Sequence, residues 1–308
     1  MMYCPITYTP IADDEMYSPK GLRLLSPRLN MLKLFPYSAA EQRQEAALRA
    51  NKMSIQGVQS KLSAKLNPSL NQFDLVNQGG TFIIKPESYL FPELPANEDL
   101  TMRMASLAGI EVPLHGLLRC KDGNWSYFIK RFDREMSHKK IALEDFAQLS
   151  GRSRDTKYNS SIEALSKIIQ SYCTFPMLEH LKLFERLLFC YLTGNEDMHL
   201  KNFSLIRRQN KVELSPAYDL LNSTIVLRSP QEEFALPLRG KRNKLKKTDL
   251  FEYLAHDLLN LNQRMVNKVI NRLHTCIPQW QDLIDISFLS PPMKKKYKAL
   301  LQMRLQIF

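Results

Sequence analysis

The chain has 308 residues, 44% of them hydrophobic, enough to bury one large domain or two lobes of about 150 residues each. Its 43 Lys and Arg against 31 Asp and Glu leave a net charge of +12, which suits either a plain basic surface or attraction to polyphosphate or nucleic acid. Only 10 glycines occur, about half the usual frequency of roughly 7%, and none forms a Gly-x-Gly-x-x-Gly or Gly-x-x-x-x-Gly-Lys-Ser/Thr run, so the common glycine-rich dinucleotide and nucleotide cradles are excluded.

In chain order, the first half reads as short strands with one helix. Leu62, Ala64 and Leu66 alternate with polar residues, the period of a half-buried strand. Residues 73–76 form a second apolar run. Gly79-Gly80 marks a turn before the aromatic and β-branched run Phe82-Ile83-Ile84-Lys85, which Pro86 stops. A helix is predicted from Asn97 as N-cap, with Glu98 and Asp99 in its first turn and Gly109 as its C′ residue. Residues 112–118 and 125–131 read as a hairpin closed by Lys121-Asp122-Gly123-Asn124. Past residue 135 the pattern turns helical. Ser160 and Glu163 form a capping-box pair before Ile162, Leu165, Ile168 and Ile169. Residues 178–192 are apolar nearly all round and predict a central buried helix; Glu179, His180, Lys182, Glu185 and Arg186 exclude a membrane span. Further stripes run through Met265, Val269 and Leu273, and through Tyr297, Leu300, Leu301 and Leu305.

Five cysteines, an odd number with no close pair, argue against a disulfide framework and a cysteine zinc site. The start has no basic segment followed by an apolar one, so no secretory leader is expected and the expected location is cytoplasmic. Two basic clusters, one from Arg239 to Lys247 and one from Lys294 to Lys298, carry neither interleaved aromatics nor a helix-turn-helix or zinc-finger signature.

The polar interruption Gly194-Asn195-Glu196-Asp197-Met198-His199-Leu200-Lys201-Asn202-Phe203 follows the central helix directly. Asp197 and Asn202 have the Asp-x-x-x-x-Asn spacing of a kinase catalytic loop, where the Asp accepts the substrate hydroxyl's proton and the Asn carbonyl binds magnesium. A short strand from Phe203 and a turn later comes Pro216-Ala217-Tyr218-Asp219, which offers a second hard oxygen ligand. Upstream, Lys85 ends a strand and Glu98 is its candidate ion-pair partner. Taken alone, Lys85 is a surface strand-end lysine. The segment Met53-Ser54-Ile55-Gln56-Gly57-Val58-Gln59-Ser60-Lys61 has a single glycine where backbone amides and Lys61 can approach phosphate.

These pieces, with Lys130-Arg131-Phe132-Asp133-Arg134, occur in order over roughly residues 50 to 240. They resemble the HipA-like serine/threonine kinases of bacterial toxin–antitoxin modules. The resemblance implies an α+β, bilobal, protein-kinase-like fold related to the phosphoinositide kinases, with a β-rich small lobe over 1–134 and a helical large lobe over 135–308. It implies ATP and Mg²⁺ as cofactors, Asp197 and Lys201 as catalytic residues, and Asn202 and Asp219 as metal ligands. It places Gln56, Gly57, Val58, Gln59, Ser60 and Lys61 in the phosphate loop, Lys85 on the phosphates, His199 on the nucleotide, and Lys130, Arg131 and Phe132 in an adenine-binding hinge. Ser54 corresponds to an autophosphorylated serine that switches the kinase off. The phosphate loop begins about fifty residues in, so the chain looks most like the short HipT kinases, which lack the N-terminal subdomain of longer HipA proteins. That form implies a small HipS-like partner, a DNA-binding HipB-like partner that brings DNA in only indirectly, and no membrane. It implies an aminoacyl-tRNA synthetase as substrate, possibly with bound tRNA, tryptophanyl before glutamyl, and inhibition of translation. The basic run from Arg239 to Lys247 is the expected contact for that substrate. The alternatives from other classes are a kinase-fold binding module for an antitoxin or nucleic acid, and a small-molecule or lipid kinase.

Overall fold

Short strands, most of them buried on both faces, build the first sheet. The computed structural model describes residues 2–49, 59–135, 139–153, 155–227, 229–230 and 232–308, which fall into two compact units. The first comprises Met1–Leu100, Pro113–Lys139 and Leu283–Ser290. It holds β1 (Met2–Tyr3), β2 (Pro10–Ile11), α1 (Pro19–Leu25), α2 (Ala39–Arg49), β3 (Leu62–Asn67), β4 (Gln72–Leu75), β5 (Phe82–Lys85), the start of α3 (Leu94–Leu107), β6 (His115–Arg119) and β7 (Trp125–Lys130). The antiparallel sheet has the order β4-β3-β5-β7-β6. Phe82 and Ile84 of β5 share a face with Leu62, Ala64, Phe73 and Phe128, and this face closes on Cys4, Leu22, Leu29 and Phe35 from the N-terminal segment. Gly116 stands opposite Phe128, and a Cβ there would come within 2.9 Å of that ring. The other face of β5, one residue out of phase, presents Lys85, in register with Tyr127, which in turn faces Leu117.

Two helices in this unit, α1 and α2, lie where the sequence predicts only one helix for the whole first half. Their starts follow ordinary capping chemistry: Gly21 N donates to Ser18 Oγ before α1, and Ser38 and Glu41 exchange bonds at the head of α2. The signal is weak because the buried apolar residues of α2 are alanines, its one leucine, Leu48, is exposed, and its most buried side chain is polar. That side chain, Gln42, bonds Tyr37 O, Cys120 Sγ and Ser126 Oγ. Asn97 is not an N-cap. The third helix starts at Leu94, so Asn97, Glu98 and Asp99 lie inside it and are buried. Their polarity is that of interior partners to the sheet, which local capping rules misread. The strand expected from residue 112 begins at His115.

The second unit comprises Thr101–Val112, Lys140–Asp282 and Pro291–Phe308. It holds β8 (Leu143–Asp145), α4 (Phe146–Leu149), α5 (Ile162–Tyr172), α6 (Pro176–Thr193), β9 (Ser204–Arg208), β10 (Lys211–Leu214), a π-helical stretch (Thr248–Leu258), most of α7 (Gln263–Ile286) and α8 (Pro291–Arg304). Its small antiparallel sheet runs β10-β9-β8. The cap of α5 is Ser161, whose Oγ accepts from Ala164 N, one residue later than expected; Glu163 instead accepts from Arg239 N and Tyr253 Oη. The central helix α6 is buried along most of its length, including Leu183, Phe184, Leu188, Phe189, Cys190 and Leu192. Trp280 packs edge-on to Phe189 at 5.6 Å and donates its Nε1–H to Met104 O at 2.9 Å.

Gly194 ends α6 in the left-handed region, φ +68°. A Cβ there would lie 2.3 Å from Leu300 Cδ2 and 2.9 Å from Asn222 Oδ1 and Thr224 Oγ1. Gly194→Ala combines a left-handed alanine with overpacking and is expected to lower stability by about 2–4 kcal/mol in urea titrations.

Candidate functional site

In the first unit, Lys85 and Glu98 form a buried ion pair, Nζ to Oε1 2.6 Å, with the two residues 3% and 1% exposed. The strand period turns Lys85 away from the apolar core toward α3. The Lys85 ammonium also sits 5.5 Å from the centre of the Tyr127 ring. One residue along α3, Asp99 meets His115 Nδ1 at 2.8 Å, and the His115 ring lies 5.8 Å from Tyr127. The two carboxylates thus hold one helical turn to one sheet face. Just past Pro86, Glu87 accepts a bond from Glu93 N at 2.7 Å. Burial and the neighbouring Glu93 charge raise the Glu87 carboxyl to about 7.

Of the expected hinge, the Lys130 N–H donates to Leu114 O and the Arg131 N–H to Thr81 O, both at 2.8 Å. The sheet therefore engages both amides. Arg131 grips Asp133 through Nε and Nη2, and Arg134 joins it. Gln59, Ser60 and Lys61 lead into β3. Ser54, Gln56, Gly57 and Val58 lie outside the described residues.

In the second unit, residues 195–203 leave α6 through a turn that fixes its own polar groups. Asn195 Oδ1 accepts from Asp197 N, and Asn195 Nδ2 donates to Asp219 O at 3.4 Å. Asn202 Nδ2 donates to Asp197 O at 3.0 Å, so the amide is oriented through its nitrogen and its Oδ1 is the ligand-type atom. Lys201 pairs with Asp145 at 2.7 Å, and Asp145 is at once the N-cap of α4. Tyr218 ties the two segments together: its Oη donates to Lys201 O at 2.9 Å and contacts Ser204 Oγ at 2.5 Å. Asp219 takes a left-handed conformation, φ +55°. Burial lowers the pKa of His199 against the opposing charges of Asp197 and Asp219, which keeps the ring neutral; its Nδ1 makes no hydrogen bond among the described residues. The Tyr158 hydroxyl donates to Asp197 Oδ1.

Asp219 and Asn202 offer one carboxylate and one amide oxygen, hard donors of the kind Mg²⁺ takes when phosphate and water complete its shell. Among the described residues no group of three or more His, Cys, Asp or Glu stands close enough to hold a metal by itself. The five cysteines are buried and free, and among the described residues no helix is long and apolar enough to cross a membrane.

Sequence reasoning missed Asp145, Tyr158, Arg186, Asp99 and His115. Asp145 has a readable signal in Asp145-x-x-Gln148, a capping box. The others act through tertiary contacts that carry no local pattern. Arg186, 3% exposed in α6, donates Nη2 to Ser215 O at 2.8 Å and so holds the segment leading to Asp219. Much of the basic run is partnered yet remains on the surface. Lys241 pairs with Asp249, Arg242 with Glu232, Arg239 stacks on Tyr253 and Lys247 donates to Phe308 O; Arg242 is half-buried, whereas Arg239, Lys241, Lys244, Lys246 and Lys247 are exposed.

Against known proteins, the HipA-like C-terminal domain matches residues 53–280. The chain belongs to this family. A putative kinase of Haemophilus influenzae is 28% identical, covering 92% of this chain and 90% of that protein. The serine/threonine-protein kinase toxin HipA of Shewanella oneidensis is 25% identical over 79% of this chain; the match spans 59% of that protein, less than two thirds of its length. The solved complex of Shewanella oneidensis HipA with HipB and its operator DNA contains a chain similar in fold, with a TM-score of 0.69 and 23% identity over 90% of this chain and 72% of that one. The fold is thus α+β and kinase-like, as in HipA.

Two outcomes are expected in the first unit. Glu98→Gln removes the carboxylate partner of a buried lysine and should cost about 3–5 kcal/mol in urea unfolding. The raised Glu87 carboxyl means the folded chain holds that proton more tightly than the unfolded chain, whose value is about 4.3. Its stabilising effect is complete below about 4.3 and is lost as the pH rises through about 7. Between pH 5 and pH 8, Glu87→Gln should therefore lose less stability than the wild type in paired urea titrations.

Proposed function

We propose that the chain transfers the γ-phosphoryl group of ATP to a serine hydroxyl of a partner protein, within a toxin–antitoxin module. The chain is a serine/threonine protein kinase of the HipA-like kind. The observation that carries the reading is the turn in which Asn202 is tied to the backbone of Asp197 while Asn195 holds the carbonyl of Asp219. One acceptor for a proton and two oxygen ligands for a cation are brought into one hydrogen-bonded frame.

In this reading the Lys85 ammonium, held by Glu98, binds phosphate oxygens. Asp197 orients the attacking hydroxyl and takes its proton. Lys201, drawn to Asp145, supplies positive charge beside the base, and the neutral His199 ring lines the same turn. Asn202 Oδ1 and the Asp219 carboxylate would hold Mg²⁺, which when bound neutralises charge on the phosphates. The phosphate loop around Gly57, adenine binding by the 130–132 hinge and the Ser54 off-switch belong to this proposal through the sequence resemblance.

The proposed substrate is an aminoacyl-tRNA synthetase, tryptophanyl for a HipT-like kinase and glutamyl for a HipA-like one. The proposed partners are a HipS-like protein and a HipB-like DNA-binding protein. The Shewanella relative, solved with HipB and operator DNA, supports the second of these.

Labelled ATP with Mg²⁺, each synthetase in turn, and the wild type, Asp197→Asn and Asp219→Asn proteins test the reading. Transfer to one synthetase is expected from the wild type. Each variant should be at least about 10²-fold slower, the scale of losing a general base or a metal ligand. Nucleotide binding without transfer to either synthetase or to the chain itself would favour the binding-module reading.

A further inference from the structure

The Tyr158 hydroxyl stands on the oxygen that the proposed reaction needs. It donates to Asp197 Oδ1, the proton-accepting carboxylate. Its position is built by several contacts. Arg242 Nη2 donates to Tyr158 O at 3.3 Å, and Arg242 is itself paired with Glu232. Leu200 N of the catalytic turn donates to Lys157 O at 3.4 Å. His199 packs edge-on to the Tyr158 ring at 5.0 Å and 83°, and the Lys157 ammonium lies 4.9 Å from its centre. Burial and the Asp197 charge raise the phenol's pKa, so the group remains a proton donor. A donor that never gives up its proton in the working pH range blocks a base without reacting with it.

We propose that Tyr158 is an acceptor-selecting residue: its hydroxyl occupies Asp197 in place of water and yields only to a hydroxyl delivered by a docked protein. The inference rests on the kinase reading above and adds acceptor selection to it. The reaction it suppresses is ATP hydrolysis. There the oxygen of water bonds to the γ-phosphorus while the bond from phosphorus to the β–γ bridging oxygen breaks. ADP keeps that electron pair, and the water proton passes to Asp197 and on to solvent. Water brings no docking contacts to offset displacement of the phenol, whereas a protein serine does.

The test uses the full chain with ATP and Mg²⁺ and no protein acceptor. Tyr158→Phe keeps the ring packing and removes only the hydroxyl. Phosphate release should rise about tenfold or more, the factor carried by one hydrogen bond to a charged group, with trinitrophenyl-ATP affinity and melting temperature unchanged. Tyr158→Phe/Asp197→Asn should fall back below the wild type. A purely structural role for Tyr158 would lower both release and melting temperature. Unchanged or slower release with nucleotide binding retained overturns the selection role and leaves the kinase reading standing. Absence of nucleotide binding in the wild type overturns both. A second measurement is independent of the Phe variant: tetranitromethane should nitrate Tyr158 several-fold faster in Asp197→Asn than in the wild type, read by peptide mass mapping. Equal rates would overturn the contact on which the inference rests.

Discussion

The near-complete burial of α6 is the constraint from which the second unit takes its form. A helix with apolar side chains on almost every side has no solvent face to which its last turn can fray, so the chain must leave it abruptly. Gly194 allows that exit, and the first polar groups of the following turn appear within one residue of the core. The turn therefore inherits the rigidity of the helix. The Asn195 and Asn202 side chains both bond the backbone of Asp197 within that frame. Arg186 extends the same control to the opposite segment: from inside α6 its guanidinium grips Ser215 O, four residues ahead of Asp219. One buried element thus anchors both the turn that carries Asn202 and the segment that leads to Asp219, and burial pushes the Arg186 pKa down rather than leaving it as a surface cation.

The first unit solves a different problem with a sheet that is apolar on one face and chemical on the other. Because neighbouring residues alternate faces, a single strand, Phe82–Lys85, contributes Ile84 to the core and Lys85 to the polar side. Two buried carboxylates on consecutive residues of α3 then meet a lysine and a histidine on that polar side. A buried charge without a counter-charge is costly, so these pairs hold the helix in one rotational setting over the sheet.

What was readable in the sequence follows from how local each determinant is. The strands around Leu62, Phe82 and Trp125 and the helix over 178–192 were readable because their signal is a period within a few residues. The Lys85–Glu98 pairing was readable because kinase chemistry demands it, although local capping rules wrongly made Asn97 a cap. Capping rules treat a polar cluster before an apolar stripe as exposed, whereas this one faces a sheet. Helix α2 escaped notice because alanines give little contrast with their neighbours. Tyr158 and Arg186 were unreadable for the opposite reason: their roles are set by partners 39 and 29 residues away, and nothing in the flanking residues distinguishes them from an ordinary loop tyrosine or helix arginine.

The left-handed backbone of Asp219 narrows what evolution and experiment can place there. Among residues with a side chain, Asp and Asn adopt that conformation most readily. A drift from Asp219 to alanine would remove the carboxylate and bend the loop at one stroke, so side-chain chemistry and main-chain shape cannot be lost separately by that route. Asparagine and glycine keep the shape while removing the charge. With Asp219 in its proposed metal-holding role, a family member that had given up catalysis but kept the loop for binding would be expected to carry asparagine or glycine at this position, which would make a single codon a marker of whether such a fold still does chemistry.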